Sequence, residues 1–100
     1  MTPVGLPGFA VHPGEILVEE FMKPMHITQK ALAERLCVSF RRINEICRGR
    51  RAITADTALL LSKAFGISAQ LWMNLQTTYD LVIANENANL NGIKPFKQSA

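Results

Sequence analysis

Along the chain, apolar residues recur at intervals of three and four rather than two, and the runs are separated by short polar or Gly/Pro-bearing breaks. Residues 1–11, with Pro3, Gly5, Pro7 and Gly8, cannot continue a helix and predict an extended arm. A first helix begins at His12-Pro13, because proline is pre-set for the first helical position and Glu15 meets the positive end of the helix dipole. Its inner side is Ile16, Leu17, Phe21 and Met22, with Glu15, Glu19 and Glu20 outside, and Pro24 ends it near Lys23. A second helix opens on Thr28 as N-cap and buries Leu32, Ala33 and Leu36. After a turn at Cys37-Val38, Ser39 caps a third helix that buries Ile43, Ile46 and Cys47. Gly49 ends that helix, and Thr54 starts a fourth with Leu59, Leu60, Ala64 and Phe65 inward, closed by Gly66 with Ile67 folding back. Ser68 begins a long last helix in which Trp72, Leu75, Tyr79, Val82 and Ile83 repeat at helical spacing. The pattern predicts an all-α domain of five helices over residues 12–87, followed by a flexible C-terminal tail over 88–100.

The second and third helices carry the candidate chemistry. Ala33 is small where two helices joined by a short turn approach most closely, and Leu36, Val38, Ile43 and Ile46 fill the crossing. Such a helix-turn-helix leaves the N-terminal end of its second helix free to meet base edges in the major groove. Ser39, Phe40, Arg41, Arg42 and Asn44 are the candidate base readers, since arginine pairs bidentately with guanine, asparagine with adenine, and an apolar ring with the thymine methyl. Arg48, Arg50 and Arg51, at the far end of that helix and in its loop, are placed for backbone phosphates, which set affinity rather than sequence.

Charge sharpens this picture. The formal net charge is only +3, yet all six arginines lie between Arg35 and Arg51 with Glu45 as the single acid among them. A basic cluster that coincides with a reading helix is the electrostatic footprint of duplex binding. One hundred residues at 48% hydrophobic content support one core and one domain. The chain has no apolar run of membrane-spanning length, and its start lacks the basic and apolar segments of a secretory signal, so a cytoplasmic protein is expected. Cys37 and Cys47 match no zinc or redox spacing and suit reduced, buried thiols. His12 and His26 assemble with no partner into a metal or catalytic constellation; no cofactor, no metal and no enzymatic activity are expected.

Gln29, Ala33, Leu36, Val38, Ser39, Ile43 and Ile46 stand where the phage-repressor (Xre) type of helix-turn-helix has its pattern residues, and the chain resembles that family. It departs at the turn, where the family places glycine and this chain has Cys37; a left-handed non-glycine residue costs on the order of 1 kcal/mol. Three further runs, HPGEIL at 12–17, RRAIT at 50–54 and FGISAQLWMNLQTTYDL at 65–81, look like the HigA/VapI antitoxin branch. The likeness implies a lambda-repressor-like fold and a homodimer that binds a double-stranded operator at its own promoter and holds a small HigB-like ribonuclease toxin inactive. It also makes Gln29 resemble the family's phosphate-contacting glutamine, with Thr28 beside it as a further phosphate candidate. Trp72, Leu75, Tyr79 and Val82 divide between the core and a twofold interface, which palindromic half-sites roughly 34 Å apart would require. The acidic face of Glu15, Glu19 and Glu20 is a candidate surface for a basic toxin. The alternative to an antitoxin is a stand-alone helix-turn-helix regulator with the same DNA-binding features and no toxin.

Overall fold

Most helices here begin where a side chain takes up a free backbone N–H. In the computed structural model, which describes residues 9–97, the helices are α1 (Pro13–Ile16), α2 (Gln29–Leu36), α3 (Phe40–Cys47), α4 (Ala55–Phe65) and α5 (Ala69–Asn87). His12 Nδ1 accepts from the Gly14 amide at 2.8 Å to start α1, and Thr28 Oγ1 accepts from Ala31 at 3.0 Å to start α2. Ser39 and Ser68 cap α3 and α5 through their hydroxyls, each at 3.1 Å. Thr54 occupies the N-cap position of α4, but its hydroxyl turns to the Asp56 carboxylate instead of a backbone amide.

α1 runs without a break into a wider π-type segment, Leu17–Met22, seen in the bond from Lys23 N to Val18 O at 2.9 Å. A repeat nearer five residues brings Leu17 and Met22 to one side, and both are buried, while Ile16 and Phe21 are only half-buried. Sequence spacing read on a regular 3.6-residue repeat predicts all four inside.

The core gathers Leu17, Leu32, Ile43, Ile46, Ile53, Leu61 and Trp72, each essentially closed to solvent. Phe21 packs its ring 5.1 Å from Phe65 and 5.3 Å from Trp72. Of the residues divided between core and interface, Trp72 and Val82 are buried within the single chain, whereas Leu75 and Tyr79 are half-buried. α4 faces differently from expectation. Thr57, Ala58 and Leu61 are buried, while Leu59 is 64% exposed and Ala64 lies outside. Three consecutive leucines cannot share one face when each residue turns the helix about 100°, and Leu61 is the one that points inward.

The turn between α2 and α3 is left-handed at Cys37, φ 57°, as the missing glycine predicts. Its thiol is exposed and that of Cys47 half-buried, so the expectation of two buried thiols fails at Cys37, where αL geometry turns the side chain away from the core. Of the expected arm, residues 1–8 lie outside the described residues, as do residues 98–100 of the tail. Residues 88–97 are exposed throughout and form a turn closed by Ile93 N donating to Leu90 O at 3.0 Å.

Candidate nucleic-acid interface

α3 is held at its C-terminal end by an unusually close approach. A Cβ on Gly14 would lie 1.8 Å from the Ile46 carbonyl oxygen, so only glycine lets α1 pass there. The loop that follows is held from below. Gln76, buried on α5, accepts from the Ile53 amide at 2.8 Å and donates to Asp80 at 2.9 Å. His12 closes the same corner: it meets Tyr79 edge-to-face at 4.9 Å, lies against Gly49, and bonds the Arg51 backbone. Burial pushes the His12 imidazole below its ordinary value, which favours the neutral ring that can accept from Gly14.

The reading helix presents two unlike polar edges. At one, Arg42 is drawn against α4, where its Nη2 reaches Asp56 Oδ2 at 2.5 Å and donates to the buried Thr57 hydroxyl. Thr54 and Arg42 together hold the Asp56 carboxyl down at about 2. The sequence groups Arg42 with the base readers, but on the wheel of a 3.6-residue helix it falls about 60° beyond Glu45, on the side that faces α4. Its guanidinium is occupied within the domain.

At the other edge, Phe40, Arg41, Asn44, Glu45 and Arg48 share one arc, with Ser39 at its head. Phe40 is 54% exposed and Arg41 83%. Asn44 is tied across the motif, its Nδ2 donating to Gln29 Oε1 at 2.9 Å, which orients both amides at the junction of α2 and α3. Glu45 accepts from Arg51 Nε at 2.9 Å and Nη2 at 2.6 Å on one oxygen, and from Arg41 Nε at 3.4 Å on the other. The Arg51 hydrogen bond, ahead of Arg41, draws its carboxyl below the usual range. Arg48 and Arg50 are exposed.

The structure thus brings together Ser39, Phe40, Arg41, Asn44 and Gln29, with Arg51 beside them through Glu45, and sets Arg42 apart. Sequence reasoning missed Gly14, Gln76 and the Asp56–Thr57 anchor. Two of these left a signal: a glycine in the first turn of a helix, where it is disfavoured, and a glutamine four residues after a buried tryptophan. Among the described residues no group of His, Cys, Asp and Glu is arranged to hold a metal ion.

Two short helices crossing at a tight left-handed turn, the second capped by serine and carrying an open arginine-bearing face, define a helix-turn-helix protein. The family model described as Helix-turn-helix matches residues 18–72. The chain is 53% identical to virulence-associated protein I of Dichelobacter nodosus over 91% of this chain and 85% of that protein. Its fold is similar to a Pseudomonas aeruginosa protein solved with its 18-base-pair operator (TM-score 0.85, 41% identity, 92% of this chain and 100% of that one). It is also similar to the Pseudomonas aeruginosa antitoxin HigA solved with the higBA promoter (TM-score 0.83, 42% identity, 89% and 100%). The chain belongs to the helix-turn-helix family, in its branch of HigA-like DNA-binding antitoxins.

Proposed function

We propose that this protein binds a palindromic operator at its own promoter as a homodimer, represses that promoter, and neutralises a small HigB-like ribonuclease toxin. The observation that carries the DNA half is the open N-terminal end of α3, with Ser39, Phe40 and Arg41 exposed in a fold that aligns with operator-bound relatives. In this reading Ser39, Phe40, Arg41 and Asn44 meet base edges, while Thr28, Gln29, Arg48, Arg50 and Arg51 meet phosphates. Arg42 serves the reading from behind, by fixing α3 against α4. The half-buried Leu75 and Tyr79 on α5 are the candidates for the twofold contact, and the acidic face of Glu15, Glu19 and Glu20 for the toxin. The role is one of binding rather than catalysis, and cytoplasmic. No helix among the described residues is long and apolar enough to cross a membrane, which fits that placement.

Selection of bound duplexes from a random pool, followed by footprinting at the gene's own promoter, tests the operator. Recovery of no preferred sequence would refute it. The toxin half is tested by expressing the neighbouring small gene alone and then with this protein. Growth arrest relieved by co-expression supports an antitoxin, and arrest that persists leaves a stand-alone regulator.

A further inference from the structure

A carboxylate in the middle of a surface meant for a polyanion needs a reason. Glu45 is the single acid among the six arginines of residues 35–51, and it stands on the open arc of α3. Its two oxygens are divided between two different guanidinium groups, one from its own helix and one from the loop after it. Oε1 takes both Nε and Nη2 of Arg51, at 2.9 and 2.6 Å, and Oε2 takes Nε of Arg41 at 3.4 Å. Arg51 is 46% exposed and Arg41 83%, so both guanidinium groups remain within reach of a duplex. Glu45 itself is only 27% exposed and sits behind them. A phosphate approaching either arginine therefore meets the repulsion of a carboxylate of its own charge, and gains the Nε of either group only by displacing that carboxylate. Base edges that meet all of α3 at once supply bonds to offset that displacement, whereas random contacts along a backbone do not.

We propose that Glu45 is a specificity-determining residue, a positioning carboxylate that withholds Arg41 and Arg51 from non-cognate duplex and releases them to the operator. The assignment rests on the operator-binding reading above. It predicts that Glu45→Gln, which keeps the shape but removes the charge and leaves one acceptor oxygen of the two, tightens binding to random-sequence duplex by about tenfold, with a salt dependence about one to two units steeper. Operator binding should tighten by less than about threefold, so the ratio of the two falls.

The experiment measures wild-type, Glu45→Gln, Arg51→Gln and the double variant against operator duplex, random duplex and heparin over a salt series, with thermal unfolding as a check on the fold. In the double variant the gain on random duplex and heparin should shrink, because the arginine through which Glu45 acts is gone. An unchanged salt slope and unchanged heparin retention for Glu45→Gln would overturn the proposal. So would equal changes on operator and random duplex, or a gain that survives intact without Arg51. A wild-type protein that shows no preference for any duplex would refute the operator reading instead, while the heparin arm still decides whether Glu45 withholds the two arginines.

Discussion

Arg41 and Arg42 are neighbours in the chain and opposites in the structure. Arg41 lies on the open arc of α3, 83% exposed and held by one long contact to Glu45, whereas Arg42 is 23% exposed and pinned to Asp56 and Thr57 on α4. The difference is one helical step of about 100°. It separates a face that can answer to a ligand from a seam that answers to the fold. On the seam side lie Gly14 against Ile46, Arg42 against α4, and Gln76 beneath the loop; on the face side lie Ser39, Phe40, Arg41 and Arg48. Substitutions on the seam should move stability, and those on the face should move recognition alone, except at Ser39, whose hydroxyl also caps α3.

The harshest test of that division is Gly14→Ala. A methyl group 1.8 Å from a backbone oxygen has no flexible neighbour to displace, so α1 and α3 must part. A loss of about 3 kcal/mol in chemical unfolding is expected, and a midpoint like that of wild type would show that the seam is not tight. Next comes Arg41→Ala, expected to lose about 2 kcal/mol of discrimination at one base pair while leaving the melting temperature in place. Arg50→Ala, by contrast, should weaken all duplexes alike and lower the salt slope by about one unit. Arg42→Ala should cost about 1 kcal/mol of stability, since it leaves the buried Thr57 hydroxyl with only its 3.4 Å contact to Thr54. The selected base preference should not change; a relaxed preference would put Arg42 back on the reading face.

The smallest expected effect is in pH. Burial lowers the His12 value from its ordinary 6.5, so the unfolded chain takes up a proton before the folded one does. Stability is therefore complete above that value and declines as pH falls below it towards the lowered value. Thermal midpoints between pH 7.5 and 5 (roughly the span in which histidine titrates) should fall slightly for wild type. For His12→Asn, whose side-chain oxygen can still accept from Gly14, they should stay nearly level. Losses tied to Asp56 and Glu45 have the same sign but begin only as pH falls through the ordinary carboxylate range.

The helices were legible because their signals are local: Thr28, Ser39 and Ser68 cap the helices they were assigned to, and Gly66 ends α4 in the left-handed geometry its type predicts. Helix faces were less legible. The spacing of LLL at 59–61 is compatible with several rotations of α4, and the choice among them is made by long-range contacts such as Arg42 with Thr57. The π-type turn hid in the same way, because nothing in LVEEFM distinguishes it from a regular helix. For the interface, composition located the arginines but could not say which were already engaged. Arg42 and Glu45 look alike as polar positions on a helix, and only the return of the chain to Asp56, fourteen positions after Arg42, tells them apart.

Because α3 is clamped at Ile46 and braced along its α4 edge, Phe40, Arg41 and Arg48 on its outward arc carry none of the contacts that hold the core. They can be exchanged as a cassette. Descendants of one such chain can acquire new target sequences by changing a handful of codons between 39 and 48, with no need to find a new core each time. A tight glycine contact at one end of a helix is thus what leaves the other end free to diversify.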